Sequence, residues 1–315
     1  MKKITAYLKL FRIQNLLIIV LLMYFVRYFI LLPVYKYGKI DLAISDFNFF
    51  LFVLGYVLIV AGGYAINDYY DIGIDETNKP EKTVLRKDIP LSHGKISYFI
   101  LTIIGFIISL IVILNLGVQK LLFILLIITF MFWFYSTKYK REFLIGNIVV
   151  AFLSGMSIAL VWFYEFFASV SDGRYVSLIR SIKFINYAIL AYFVFAFILT
   201  FIREVIKDIV DIEGDKEFKC DNLPIRLGIK KSKNIAIIMS FIAIFFIFFA
   251  LAVLASKEYW YIFYYTLIII SGLLSYIIFK LFKAEDKEQF KHISDLLKVL
   301  FLAGIVSMQL FSVCL

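Results

Sequence analysis

Cysteine and histidine are scarce in this 315-residue chain, which contains two of each. Cys220 and Cys314 lie far apart in the sequence and form no redox or zinc-ribbon spacing. His93 and His292 are isolated, so nitrogen or thiolate ligands for a transition metal do not cluster. A metal ion bound by this chain would therefore have oxygen ligands.

The chain also lacks the balance of polar and apolar residues that is typical of a soluble protein. The chain is 63% apolar and 19% aromatic, which is more apolar surface than one soluble core can hide. Its apolar runs are continuous, recur along the whole chain and are long enough for a hydrocarbon layer of roughly 30 Å, so one signal peptide does not explain them. We predict an all-α integral membrane protein with a single domain over residues 1–315. The nine predicted spans are 14–35, 47–66, 96–115, 118–137, 144–167, 184–202, 234–255, 259–280 and 296–315.

Positive charge is unevenly distributed between the loops. Lysine and arginine gather on one side of the predicted bundle, which indicates the cytoplasmic side. We therefore expect loops 67–95 and 203–233 to face the cytoplasm, most simply in the inner (plasma) membrane of the cell. The net charge of +10 follows from this topology and from attraction to anionic lipid, and without a stacking motif we expect no nucleic-acid partner.

Two acidic clusters with the same D-x-x-D-x-x-x-D spacing follow the second and sixth predicted spans. The repetition suggests two four-helix pseudo-repeats with a ninth helix appended. On a helix, steps of three and four bring the three carboxylates of a cluster to one face, where they repel each other unless a cation binds. The clusters are Asp68, Asp71 and Asp75, and Asp208, Asp211 and Asp215.

Carboxylates without histidine or thiolate prefer hard cations, and Mg²⁺ keeps coordination positions for substrate phosphate oxygens. We predict that all six aspartates and Asn67 bind Mg²⁺ and clamp a diphosphate. Asn67 and Asp208 would also contact the substrate, while Asp71, Asp75, Asp211 and Asp215 would be catalytic. The alternatives are solvated loop carboxylates and, for Asn67, a helix C-cap.

Basic residues accompany both clusters. Breaking an allylic C–O bond leaves a carbocation and a diphosphate, so a catalyst must neutralise the leaving group. We predict that Lys207 acts in catalysis and that Arg203, Lys138 and Arg141 grip phosphate oxygens. Anchoring on the cytoplasmic side is the alternative, and for Lys140 the two interpretations are equally supported. Phenylalanine and tyrosine would shield the carbocation.

Residues 67–75, followed by Glu-Thr-Asn-Lys-Pro at 76–80, resemble the N-D-x-x-D-x-x-x-D signature of the UbiA superfamily of intramembrane prenyltransferases. The second cluster and residues 135–147 are similar to later segments of that family. The resemblance implies nine helices around a central cavity that opens laterally to lipid. It also implies Mg²⁺ at both clusters, Lys79 at the substrate, a polyprenyl diphosphate donor and a lipophilic acceptor.

Within that superfamily, the motifs are most similar to geranylgeranylglycerol-phosphate geranylgeranyltransferases. The expected acceptor is therefore geranylgeranylglycerol phosphate, with an aromatic quinone precursor or a chlorophyll-like alcohol as alternatives. Residues 81–94 depart from the Arg-Pro-Leu type segment that is usual in relatives.

Two other classes fit less well. CDP-alcohol phosphotransferases need a D-G-x-x-A-R run, which is missing. A cation-coupled transporter would place acids at mid-membrane, whereas these acids lie at predicted helix ends.

Overall fold

The computed structural model describes residues 2–81 and 83–314, and for Lys2 and residues 175–181 the description covers the backbone only. In this part of the chain the secondary structure is helical apart from one isolated bridge between Leu85 and Ile89. Its main helices are α1 (Lys2–Leu10), α2 (Ile13–Tyr37), α3 (Asp46–Tyr70), α4 (Ile72–Asn78), α5 (Ser92–Asn115), α6 (Leu121–Thr137), α7 (Ile145–Ser171), α8 (Tyr175–Val210), α9 (Ile212–Glu217), α10 (Leu223–Leu227), α11 (Ile229–Ser256), α12 (Trp260–Lys283) and α13 (Lys287–Cys314).

Eight of these helices are long and apolar enough to cross a bilayer: α2, α3, α5, α7, α8 from Ile182, α11, α12 and α13. The fourth predicted span corresponds to α6, which has 17 residues. The predicted all-α membrane fold is therefore confirmed, and the count of nine spans stays a prediction.

Polar residues mark where several of the spans begin. Ser45 precedes α3 and accepts a hydrogen bond from the backbone N–H of Asn48 at 3.2 Å. Asp286 precedes α13 and accepts one from Gln289 at 2.8 Å. Such N-caps satisfy backbone donors that the first helical turn leaves free.

Small residues bring α3 and α5 into close contact. A Cβ atom on Gly55 would lie 2.4 Å from Ser109 Oγ, and one on Gly105 would lie 2.6 Å from the carbonyl oxygen of Gly55. Neither position has room for a methyl group, so glycine permits the backbones to approach. This contact positions α3, whose last turn carries Asp68, the first aspartate of the first cluster.

The outer surface of the bundle is strongly apolar. On α11, for example, Phe245 and Phe249 are 71% and 65% exposed. Exposed rings of this kind fit a lipid environment, in which backbone groups are satisfied within helices. The chain is a multi-pass integral membrane protein.

Candidate active site

Both aspartate motifs contain the same bend. The long helix ends just before the middle aspartate, and a short helix follows it. Asp71 has φ −92° and ψ 2°, and Asp211 has φ −98° and ψ 8°. The carbonyl of each still accepts a helical hydrogen bond, from Asp75 N–H at 2.8 Å and from Asp215 N–H at 3.2 Å. The three carboxylates of a motif therefore do not lie along the one straight helix that the spacing had predicted. A ψ near 0° at the middle aspartate changes the direction of the chain between the long helix and the short one.

The short helices α4 and α9 pack against each other. The Asn78 side chain donates to the backbone carbonyl of Asp211 at 2.8 Å and accepts from the N–H of Gly214 at 2.9 Å. A Cβ atom on Gly214 would lie 2.5 Å from Asn78 Nδ2. Two motifs separated by about 140 residues are thus joined directly by this contact.

One cavity of about 820 Å³ takes in both motifs. Its polar end is lined by Asn67, Asp68, Asp75, Asp208, Asp211 and Asp215. Further along the same helices and on their neighbours, apolar and aromatic residues line it, including Leu22, Tyr56, Val60, Phe132, Leu153, Leu199 and Phe301. The cavity therefore joins an acidic end to an apolar end.

Cationic side chains pair with both middle aspartates and with the first aspartate of the first motif. Lys140 donates to Asp71, and Lys79 donates to Asp211. Arg12 donates to Asp68 at 2.7 Å. Asp71 is 1% exposed and does not itself line the cavity, whereas its partner Lys140 does.

The last aspartate of each motif has a raised pKa. Burial raises the pKa of Asp75 and of Asp215 to about 6; Lys140 opposes the shift, and neighbouring aspartates add to it. These carboxyl groups are held in negative surroundings that a cation would relieve.

Within the described residues, three buried oxygen atoms at this end have no hydrogen-bond partner: Oδ1 of Asn67, Oδ1 of Asp71 and Oδ1 of Asp211. Leaving buried acceptors unpaired is costly, so these atoms are suited to bind a cation. Among the described residues, no three acidic, histidine or cysteine side chains enclose a metal position by themselves. This donor set fits Mg²⁺, which typically takes one or two carboxylates and completes its shell with water and phosphate oxygens.

Arg203 and Lys207 line the same cavity but have a different partner. Lys207 donates to both carboxylate oxygens of Glu204, at 2.8 and 3.0 Å. Arg203 Nη1 lies 3.5 Å from Glu204 Oε1. Asp208, one turn beyond Glu204, instead accepts from Asn147 Nδ2 at 2.8 Å. Lys207, predicted to act in catalysis, and Arg203, predicted to grip phosphate, therefore both pair with a glutamate outside the clusters.

Lys138 and Arg141 are not among the residues that line the cavity. Lys138 is exposed and lies 3.6 Å from Glu142, and Arg141 donates to the carbonyl of Tyr70 at 3.0 Å. Their contact with substrate stays a prediction. Lys140 lies between them in sequence and reaches Asp71, an arrangement that the sequence left open.

Sequence reasoning missed Arg12 and Glu204 as members of this cavity. Arg12 follows α1 with a positive φ of 50°, and its guanidinium lies 4.9 Å from the centre of the Tyr64 ring. In the sequence, Arg12 is one of the basic residues near the amino terminus and has no motif around it. Glu204 lies two residues beyond the predicted span 184–202, but in the structure it lies inside the span Ile182–Val210, where an acidic residue indicates a functional site.

Comparison with known proteins agrees with this geometry. The family model described as "UbiA prenyltransferase family" matches residues 28–305. The chain belongs to this family. The UbiA resemblance of its motifs and the predicted prenyltransferase class are thereby confirmed.

Individual UbiA relatives are similar over most of the chain. Digeranylgeranylglyceryl phosphate synthase of Methanosphaera stadtmanae is 31% identical over 80% of this chain and 83% of its own length. A solved structure concerned with digeranylgeranylglyceryl phosphate synthase covers 100% of both chains, with a TM-score of 0.64 at 23% identity. A UbiA homologue from Archaeoglobus fulgidus bound to DMAPP and Mg²⁺ covers 96% of this chain and 99% of its own, with a TM-score of 0.51 at 16% identity. At these identities, the two structures show the shared fold.

Proposed function

We propose that this UbiA protein transfers a geranylgeranyl or similar prenyl group from its diphosphate to geranylgeranylglycerol phosphate, in a reaction that requires Mg²⁺. The observation that carries the proposal is a single cavity with both aspartate motifs at one end and apolar side chains at the other. A diphosphate with a long isoprenoid tail has the same two-part character. The name of the Methanosphaera relative supports the choice of acceptor.

Mg²⁺ would be held at the acidic end of the cavity. The unpartnered oxygens of Asn67, Asp71 and Asp211 support this assignment, as does the Mg²⁺ bound to the Archaeoglobus homologue. When bound, the ion neutralises negative charge on the diphosphate and on the leaving group. The proposed ligands are Asn67, Asp68, Asp71, Asp75, Asp208, Asp211 and Asp215.

Lys79 and Lys140 are the proposed direct contacts to the diphosphate. Both line the cavity, and each is paired with the middle aspartate of one motif. An ammonium group has three N–H donors, so each lysine can keep its aspartate and still donate to a phosphate oxygen. Charge-assisted bonds of this kind stabilise the leaving diphosphate.

The reaction exchanges one C–O bond for another. The bond between C1 of the isoprenoid and the diphosphate breaks, C1 bonds to the acceptor hydroxyl oxygen, and the hydroxyl proton is released. Tyr56, Phe132, Tyr135 and Phe301 line the cavity. Their rings exclude water and present electron-rich faces to the positive charge that develops at C1.

The proposed orientation places the acidic end of the cavity at the cytoplasmic face of the inner membrane. Lysine and arginine are concentrated in the loops at that end, as expected for segments that stay in the cytoplasm. We treat the whole chain as one catalytic domain, since α2, α3, α7, α8 and α13 all contribute side chains to the cavity.

Product analysis tests the proposal. Purified protein is incubated with geranylgeranyl diphosphate, Mg²⁺ and one of three acceptors: geranylgeranylglycerol phosphate, 4-hydroxybenzoate or homogentisate. Mass spectrometry should detect digeranylgeranylglyceryl phosphate with equimolar diphosphate, and EDTA should abolish both. Prenylation of an aromatic acceptor alone would overturn the assigned acceptor. Absence of diphosphate release with every acceptor would contradict prenyl transfer itself.

A further inference from the structure

A second group of cations lines the same cavity, and two of its members precede the second aspartate motif on α8. Arg203 precedes Asp208 by five residues and Asp211 by eight, about 7.5 and 12 Å along a helix that rises 1.5 Å per residue. Lys207 precedes Asp211 by four residues, or about 6 Å. Arg12, at the start of α2, also lines the cavity. These three cations come from two distant parts of the chain.

Electrostatic contacts place the three cations in one region. The Arg12 guanidinium lies 4.9 Å from the centre of the Tyr64 ring, and Tyr64 lines the cavity close enough to Arg203 and Glu204 to interact with their charges. Lys207 in turn lies within the fields of Arg203 and Arg12. Like charges held together in a partly buried site repel each other unless an anion binds between them.

The carboxylates near these cations are shared or belong to the proposed metal site. Glu204 supplies one carboxylate for both Arg203 and Lys207. Arg12 shares Asp68 with the proposed metal site, and Asp208, which follows Lys207 in the chain, belongs to that site as well. Among the described residues, the buried Arg203 Nε has no hydrogen-bond partner. The region therefore has an unused donor beside cations that share their carboxylates, which favours an anionic ligand.

The proposed function places the donor diphosphate at the aspartate motifs. The proposed metal ligands belong to the aspartate motifs, and Lys79 and Lys140 contact those motifs directly. Arg203 and Lys207 instead contact Glu204. A phosphomonoester carries about −1.5 to −2 charges at neutral pH, so it can accept charge-assisted hydrogen bonds from Arg203 and Lys207, which share the carboxylate of Glu204.

We propose that Arg203 and Lys207, assisted by Arg12, form a phosphate subsite for the acceptor that works without metal. The proposal rests on the proposed function and specifies its substrate class as lipids with a phosphomonoester headgroup. It reassigns Arg203 and Lys207, which the sequence had suggested for the donor. The cavity thus has two anion positions, one built on metal ligands and one on cations.

Steady-state kinetics with each substrate varied separates the two positions. The test variants are Lys207→Met and Arg203→Gln. The control is Arg226→Gln, whose guanidinium is exposed, lies 3.6 Å from Asp221 and is outside the cavity lining. Since a hydrogen bond to a charged group is worth more than a neutral one, each test variant should raise the acceptor KM about tenfold or more. The donor KM should change less than about threefold, and the control should match the wild type.

Binding measured in EDTA gives a second readout. Wild-type protein should bind geranylgeranylglycerol phosphate without Mg²⁺, and geranylgeranylglycerol, which lacks the phosphate, much more weakly. Lys207→Met should reduce this preference about tenfold or more, and Lys207→Arg should restore most of it. Should Arg203→Gln fail to fold, Lys207→Met carries the test, because the Lys207 side chain is one-third exposed.

The outcomes distinguish this inference from the function on which it rests. If the wild type makes no product from geranylgeranylglycerol phosphate, the proposed function fails. If the wild type is active but the variants raise the donor KM instead, the subsite is wrong and the function stands. Unchanged binding of the phospholipid acceptor by both variants in EDTA also overturns the subsite.

Discussion

Asp71 and Asp211 occupy equivalent positions in the two motifs, yet their surroundings differ. The Asp71 side chain is 1% exposed and is paired with Lys140, whereas Asp211 is 18% exposed and is paired with Lys79. Removing a buried carboxylate leaves its cation uncompensated and destabilises the fold. Asp211 is therefore the better position at which to separate catalysis from stability.

We expect Asp211→Asn to lower kcat by about a hundredfold or more while the protein still inserts and folds. The substitution keeps the shape of the side chain but removes the charge that would bind Mg²⁺, and loss of one electrostatic contact to a leaving group has effects of this size. Diphosphate release measures the rate, and a detergent melting curve measures folding.

Asp221→Asn is a matched control, since Asp221 is exposed, lies in the same loop and pairs only weakly with Arg226 at 3.6 Å. It should behave as the wild type. Wild-type turnover by Asp211→Asn would remove Asp211 from the metal site.

At the level of single residues, the repeated spacing was enough to select the six aspartates as candidate metal ligands. It could not predict their partners, since the pairs Lys140 with Asp71 and Lys79 with Asp211 join residues 69 and 132 positions apart. Arg12 belongs to no repeated pattern, and only the tertiary fold brings it to Asp68.

Among the structural elements, the long spans were predicted well and the short helices were not. Continuous apolar runs define α3 and α8, but no bend was predicted within residues 71–75, although they include Gly73. The short helices that follow the bends contact each other through Asn78 and Gly214. These contacts are nonlocal, so local sequence patterns do not contain them.

We expect Gly214→Ala to reduce turnover about tenfold or more with only modest loss of stability. Its new Cβ would lie 2.5 Å from Asn78 Nδ2 and 2.7 Å from Asn78 Cγ, and Asn78 is held by two hydrogen bonds. The α9 helix must therefore shift relative to α4, and misplacement of catalytic groups by about 1 Å can cost a hundredfold in rate. Turnover and thermal melting are the measurements.

Gly272→Ala is the matched control, because a Cβ there would meet no atom within 4 Å. It should leave turnover and melting unchanged. Equal activity of Gly214→Ala and Gly272→Ala would mean that the contact between α4 and α9 does not position the aspartates.

For the molecule as a whole, composition was enough to predict a helical membrane protein. The residues and spacing of the aspartate motifs were enough to predict the family. The cavity could not be predicted in this way, because its volume and lining depend on how α2, α3, α7, α8 and α13 pack. Its acidic end is lined by residues from the final turns of α3 and α8 and from the helices that follow them. Which side of the membrane this end faces follows from the loop charges alone.

We expect a cysteine at position 87 to lie in the cytoplasm and one at position 257 to lie on the opposite side. Lys87 is exposed in the loop before α5, at the end of the bundle that carries the aspartates, and Lys257 is exposed in the turn between α11 and α12. A membrane-impermeant maleimide should therefore label Lys257→Cys in intact cells and Lys87→Cys only after permeabilisation.

The two native cysteines determine how that labelling experiment is built. Burial raises the pKa of the Cys220 thiol to about 11, and since the thiolate is the reactive form, Cys220 should label slowly at neutral pH. Cys314 is partly exposed and is replaced by serine in both variants. A variant with this replacement alone gives the background. Labelling of Lys87→Cys in intact cells, with Lys257→Cys protected, would put the aspartates outside the cytoplasm and contradict the orientation inferred from the loop charges.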